Sequence, residues 1–390
     1  MKEDVKMKYE LMDMCSDDAV IKVIGVGGGG GNAVDHMIDG HIDGVQFICA
    51  NTDAQALRRL SVETKVQLGV ELTKGLGAGT RPEVGKMAAE ENKEHIKEVI
   101  DGADMIFLTA GMGGGTGTGA ISVIAETARE LGILTVAVVT KPFDFEGKKK
   151  KIVAEAGIAE LEKHVDSLII IPNQKLLPVL GSNLSLVNAF KAANDVLLDA
   201  VQGITELITH PGLINVDFAD VKTVMSNMGT AIMGSGSATG DNRAREAAEK
   251  AIACPLLEDI NLQGAHGILV NITAKDMDLT EFDEIGSIMH SFASEDADMK
   301  IGTAINPDMG DEIRVTVVAT GMGEKAVVNS PVKLVQKAAA GDIRYDELDK
   351  PTVLRQAKQE PRETRFGAQP KDDMDLDYLD VPAFLRRQAD

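Results

Sequence analysis

Over the first half of the chain, apolar residues fall in short continuous runs separated by stretches of helical period. The runs at 19–26, 45–50, 66–68, 105–110, 133–140 and 167–172 contain few polar positions. Each reads as a strand buried on both faces, as in a parallel sheet covered by helices. The intervening pattern predicts helices over 33–38, 82–100 and 120–130, the second with Pro82 in its first turn. A longer stripe, from Leu186 through Val196, Val201 and Ile208, predicts a helix over 185–210, about 39 Å long, that Pro211 and Gly212 end.

Beyond it, helices are predicted over 242–253 and 280–293, the second capped by Thr280 with Asp283 in its first turn. Strands are predicted over 267–273, 299–305 and 312–320, the last partly alternating and so expected to face solvent on one side. The expected fold is α/β. A flexible segment (1–18) precedes a Rossmann-like parallel-sheet domain (19–184), a central helix and loop (185–217), and a second α/β domain with a mostly antiparallel sheet (218–323). From 324 to 375 the periodicity stops, and Pro331, Pro351, Pro361 and Pro370 stand among many charges, the composition of a disordered linker. Apolar residues return at 376–390, which reads as a segment that folds on a partner.

Composition narrows the classes. Aromatics are 3% and tryptophan is absent, so the cores must be aliphatic. A net charge of −21 disfavours a nucleic-acid surface. Cys15, Cys49 and Cys254 form neither a disulfide framework nor a zinc spacing, which implies a reducing compartment. No secretory signal is expected in the first eighteen residues, and no apolar run approaches the ~20 residues of a membrane helix. A cytoplasmic protein without membrane insertion follows.

The chemistry gathers in glycine-rich stretches. Residues 111–119 (GMGGGTGTG) stand between a predicted strand and a predicted helix. Without Cβ atoms, backbone N–H groups approach an anion closely, and a helix N-terminus favours negative charge. The stretch lacks the Gly-Lys-Ser/Thr ending of a Walker A loop. A second stretch, 25–31, satisfies G-x-G-x-x-G, with Asp53 near where a ribose-binding acid would stand. That leaves an NAD(P)-dependent dehydrogenase as an alternative, although it accounts for neither 113–119 nor 215–220. A third stretch is 73–80. Three such loops at the carboxyl ends of parallel strands suit a nucleoside triphosphate better than a dinucleotide.

These stretches, in order and together with 51–53, 143–147, 215–220 and the terminal peptide, resemble the tubulin/FtsZ superfamily on its bacterial FtsZ branch. The resemblance spans about 19–323 and 376–390. It implies a cytoskeletal GTPase that polymerises head-to-tail and forms the division ring at midcell, with GTP or GDP as ligand and Mg2+ at the phosphates. Carried over by position, Gly28, Gly29, Gly30, Gly31, Asn32, Gly115, Thr116, Gly117 and Thr118 would hold phosphates. Glu146 and Lys150 would lie at ribose and phosphates, Phe190 would stack on guanine, and Asn194 and Asp195 would read its edge. Lys150 stands where members commonly carry arginine, so the charge is kept and the planar fork lost. Asn215, Asp217 and Asp220 would complete hydrolysis, and Asp380, Val381, Pro382, Phe384, Leu385 and Arg386 would bind membrane-associated adaptors.

If Asn194 touches the base, Asp217 lies 23 residues further on. At helical rise that is roughly 30–35 Å. Asp217 and Asp220 are therefore expected to act in trans, on a neighbour's nucleotide.

Overall fold

The structure, a computed structural model, describes residues 19–180, 185–210, 212–226, 229–254, 256, 265–294 and 297–322. The expected linker and terminal peptide lie outside the described residues.

The six apolar runs form β1 (Ile21–Val26), β2 (Val45–Asn51), β3 (Thr64–Gln67), β4 (Met105–Gly111), β5 (Leu134–Lys141) and β6 (Ser167–Pro172). They pair in parallel in the order β3-β2-β1-β4-β5-β6. In β1, β4 and β5 the runs are almost wholly apolar because both faces are covered, while the edge strand β3 leaves Thr64 and Lys65 exposed. Met105 and Phe107 enter one core with Val34 and Met37 of α1 (Gly27–Asp39). Ile106 and Leu108 enter another with Ile121 and Ile124 of α6 (Thr116–Glu130). The same sheet is flanked by α2 (Ala54–Arg59), α3 (Val70–Thr73), α4 (Pro82–Glu91), α5 (Lys93–Ile100), α7 (Lys148–Leu161) and α8 (Leu177–Leu180).

The central helix is α9 (Leu186–Thr209), entered through Ser185, whose hydroxyl accepts from the Asn188 N–H at 3.2 Å. Its Leu197, Val201, Ile204 and Leu207 share one core with Phe107 and Val136 on one side and Leu269 and Val318 on the other. Beyond it come α10 (Phe218–Met225), β7 (Gly229–Thr239), α11 (Arg243–Ile252), β8 (Gly267–Ala274), α12 (Leu279–Phe292), β9 (Asp298–Ile305) and β10 (Glu312–Met322). Here β10 pairs antiparallel with β7 and β8, and β8 pairs parallel with β9. Three residue pairs join β6 to β7, so the described strands make one ten-stranded sheet, parallel in one half and mixed in the other.

Several local expectations change. The helix expected from residue 33 begins at Gly27, so the glycine stretch is the helix's own first turns. The helix expected over 82–100 is two, broken at Asn92, whose side chain accepts the Gly69 N–H at 2.7 Å. α12 is capped by Asp278 rather than Thr280, because Glu281 answers the Asp278 N–H in a capping box. β10 does not face solvent from Val315 onward: Val315 and Val317 join the core with α11, while Thr316 lies under Gly203 of α9. β7 was not among the expected strands, its apolar stretch being only Ala231 to Met233. It contains Gly234, Ser235, Gly236 and Ser237, and a Cβ on Gly236 would overlap the Ala247 carbonyl of α11.

Packing should decide the sign of two identical substitutions within helices. A Cβ on Gly119 in α6 would overlap the Pro82 carbonyl, whereas one on Gly286 in α12 would meet Ile301 at an ordinary 3.9 Å. Alanine raises helix propensity at either site. Gly119→Ala should nevertheless lose about 1–3 kcal/mol through overpacking, while Gly286→Ala is neutral or stabilising. Urea denaturation of both variants measures this.

Candidate functional site

The carboxyl ends of β1, β2, β4 and β5 border a cleft of about 580 Å³. Its wall comes from Gly28 and Gly29 in the first turn of α1, the segment 76–79, and Gly114 to Gly117 at the start of α6. The three glycine stretches meet backbone to backbone. Gly27 takes φ +73°, and a Cβ there would stand 2.7 Å from the Gly117 nitrogen. The Gly115 N–H donates to the Gly79 carbonyl at 3.0 Å, and a side chain on Gly115 would overlap that carbonyl. Across the floor, the Thr52 and Thr116 hydroxyls bond each other at 2.6 Å.

Two helix N-termini, of α1 and α6, open on this cleft and bring unpaired N–H groups and positive dipole ends. Charged side chains contribute little. Among the described residues lining the cleft Lys150 is the one cation, and its ammonium is paired with Glu146 at 2.9 Å. The other Glu146 oxygen accepts the Phe143 N–H at 2.9 Å. Asp53, also on the cleft, caps α2 through the N–H groups of Gln55 and Ala56. Any anion here is therefore held mainly by backbone.

Of the residues singled out in the sequence, Gly28, Gly29, Asn32, Gly115, Thr116, Gly117, Glu146, Lys150, Phe190 and Asn194 line the cleft. Phe190 meets the buried Phe143 edge-on at 5.4 Å, which fixes its ring at the rim. Four others do not line it. Gly30 packs on the Thr109 carbonyl and Gly31 faces Leu60. Thr118 uses its hydroxyl to accept the Gly113 N–H at 2.8 Å, shaping the loop. Asp195 turns to α1, with Oδ1 2.6 Å from His36 Nε2.

Asn215, Asp217 and Asp220 are absent from the cleft lining and lie beyond the far end of α9. Asn215 and Asp217 are exposed and Asp220 is half-buried. Asp217 caps α10 by accepting the Asp220 N–H at 2.8 Å. Asp380, Val381, Pro382, Phe384, Leu385 and Arg386 lie outside the described residues.

The sequence reading passed over Thr140 and Asn173 and named Asn51 only within the stretch 51–53, without a role, yet all three line the cleft. Each ends or directly follows a parallel strand, the position that located the glycine loops. Asn173 is 4% exposed and its Oδ1 has no hydrogen-bond partner within the chain, so it has an acceptor to offer a water or a ligand in the cleft. No cluster of three or more His, Cys, Asp or Glu able to hold a metal occurs among the described residues, and no helix there is long and apolar enough to cross a membrane.

A parallel sheet with two helix N-termini and interlocked glycine turns around a polar cleft defines a nucleotide-binding α/β protein. Comparison with known proteins narrows the class. The sequence matches the Tubulin/FtsZ family, GTPase domain, over residues 20–181 and the FtsZ family, C-terminal domain, over 229–323. It is 60% identical over 385 residues to the cell division protein FtsZ of Coxiella burnetii, covering 97% of this chain and 99% of that one. Against the Pseudomonas aeruginosa protein of the same name the identity is 57% over 397 residues, covering 98% and 100%. A solved FtsZ dimer from M. jannaschii matches with a TM-score of 0.74 at 43% identity, over 77% of this chain and 88% of that one. CetZ2 from Haloferax volcanii, 19% identical with a TM-score of 0.66 over 80% and 96%, shares the fold. The chain belongs to the FtsZ family of cell-division GTPases. The dehydrogenase alternative is thereby set aside, and the G-x-G-x-x-G match at 25–30 is part of a GTPase cleft.

One titration on α9 is open to test. Burial pushes the Asp199 carboxyl up to about 6 from 3.8, with Asp195 and Glu206 adding to the rise and Arg314 opposing it. The folded chain therefore holds a proton that the unfolded chain has lost between about pH 4 and 6, and stability falls as pH rises through that window. Asp199→Asn has no such titration. Its stability relative to the parent should improve from pH 4 to pH 6 by no more than about 3 kcal/mol and level above that. Denaturation midpoints of both proteins across pH 4–8 measure the difference.

Proposed function

We propose that the cleft binds GTP and that hydrolysis occurs only where a second copy, stacked head-to-tail, brings its Asp217 and Asp220 to the γ-phosphate. The observation that carries this is the separation along α9. Phe190 and Asn194 line the cleft near its start, and the acids follow its end. From Asn194 to Thr209 is 15 residues, about 22 Å at helical rise, before the connecting loop. A carboxylate at that distance cannot touch its own chain's nucleotide.

Exposed apolar side chains at both ends support the stacking. Leu76 (86% exposed) and Phe145 stand by the glycine turns, and Leu213 (79%) and Ile214 by the acids. A contact between two different surfaces of one chain does not close, so it builds filaments. In this reading the N–H groups of Gly28, Gly29, Thr116 and Gly117 cradle the phosphates, Asn32 borders them, and Gly30, Gly31, Gly115 and Thr118 hold the turns in shape. Glu146 and Lys150 flank ribose and phosphates, Phe190 stacks on guanine, and Asn194 and Asn173, whose Oδ1 is unpartnered, read its edge, while Asp195 is engaged with His36. Residues 19–184 and 218–323 act as two domains joined by 185–217.

So little cationic charge for a triphosphate favours a magnesium counter-ion. The oxygens of Asn51, Asp53, Thr116 and Thr140 on the cleft suit a hard cation that keeps its waters. Bound there, it would neutralise charge on the phosphates. The chain's own contribution is the incoming acid pair, which with Asn215 orients and polarises the water attacking the γ-phosphorus. The bond to the β-phosphate oxygen breaks, leaving GDP and phosphate. GDP loosens the contact. The division ring at midcell is the proposed location, reached through adaptors at the membrane that take up the terminal peptide.

Asp220→Asn should bind GTP as the parent does while turnover falls about a hundredfold or more. Nucleotide binding at low protein concentration and phosphate release at high concentration measure the two separately, and unchanged turnover would remove the mechanism. Deleting 378–390 should leave polymerisation intact and abolish adaptor binding, read by sedimentation with and without the adaptor.

A further inference from the structure

The loop carrying the acids is fastened to the sheet's last strand. Among the described strands β9 pairs with β8 alone, which leaves its other edge without a strand partner. Residues 212–216 occupy that edge: the Thr303 N–H donates to the Ile214 carbonyl at 3.0 Å, and the Ile214 N–H donates to the Thr303 hydroxyl at 3.0 Å. One face of β9 presents Asp298, Lys300 and Gly302 at alternate positions. Gly302 admits Val216, whose Cγ2 would lie 2.7 Å from a Cβ placed there. Lys300 reaches Asp220, with Nζ 3.2 Å from Oδ1, and stands 3.6 Å from Asp298 Oδ1.

We infer that Lys300 is a positioning residue for GTP hydrolysis, fixing the Asp220 carboxylate and offsetting the charge of the acid face as it meets a neighbour's triphosphate. This rests on hydrolysis in trans as proposed above. Three observations favour it over a purely structural ion pair. Both partners are partly exposed, at 33% and 40%, and such a pair adds little to stability. The fold does not need it, because β9 is held by eight residue pairs with β8 and α10 by the Asp217 cap. Charge balance does need it. Asp217, Asp220 and Asp298 would otherwise bring three carboxylates against a polyphosphate, and Lys300 is the cation between two of them. Asp220 and Asp298 in turn hold the Lys300 ammonium above its usual range, so it is charged at neutral pH. Lys300 does not line the cleft of its own chain.

The test uses the full chain with Lys300→Met, Lys300→Arg, Asp220→Asn and the double variant Lys300→Met/Asp220→Asn. GTP binding, sedimented polymer, and kcat and KM per polymerised subunit are measured for each. Lys300→Met should bind GTP normally and keep its KM while kcat falls about tenfold, the size expected when a reacting group is mispositioned. Lys300→Arg should restore most of it, and Lys300→Met should add nothing to Asp220→Asn. A parental kcat in Lys300→Met, with Asp220→Asn inactive, overturns the role of Lys300 and leaves trans hydrolysis standing. So does a loss that Lys300→Arg does not repair. Parental turnover in Asp220→Asn overturns trans hydrolysis itself, and the role of Lys300 with it.

Discussion

α9, a continuous helix of 24 residues, lines the nucleotide cleft with its first half and leads at its far end into the loop that carries Asp217 and Asp220. At about 1.5 Å per residue α9 is roughly 36 Å long, and it is anchored along its length. Leu197, Val201 and Ile204 share a core with the parallel half of the sheet, while Gly203 lets Thr316 of β10 approach the other flank. A helix packed on both sides does not bend to bring its ends together. Its stiffness dictates that the nucleotide cleft and the acid loop of one chain stay apart. In the proposed reading it therefore also dictates that the enzyme is made of two copies.

The cleft follows a second rule, that backbone replaces side-chain charge. With Lys150 already engaged by Glu146, attraction for an anion falls to N–H groups at the starts of α1 and α6. The two helix starts come together at the cleft because three segments pack closer than a Cβ would permit, as at Gly27 and Gly115. The glycines are thus occupied twice, once in holding the turns together and once in leaving space for a ligand. The acid face is built differently. It is a loop stapled to an otherwise unpaired strand edge, with carboxylates and a lysine on partly exposed positions.

Much of this was legible in the chain. Apolar runs located β1, β4, β5 and β6 cleanly, because a strand buried on both faces leaves little polar pattern to obscure it, whereas the edge strand β3, with Thr64 and Lys65 exposed, was marked only by the short stretch 66–68. α9 was legible from its stripe and from Pro211 and Gly212. The cleft was legible where glycine clusters met the strand-to-helix pattern, and less so where a single polar residue ends a strand, as with Asn51, Thr140 and Asn173. What stayed hidden depends on partners distant in sequence. β7 is held as a strand by β10 and α11, and no strand was expected over its residues. Asp195 turns to His36, 159 positions away, and Asp220 to Lys300, and neither pairing leaves a periodic trace.

The most direct test is phosphate release from GTP as a function of protein concentration, with light scattering on the same samples. If the site is shared, turnover per molecule is near zero below an assembly threshold and rises with scattering above it. Turnover per molecule that is flat across concentration would mean that each chain hydrolyses alone. The separation imposed by α9 would then have no catalytic consequence.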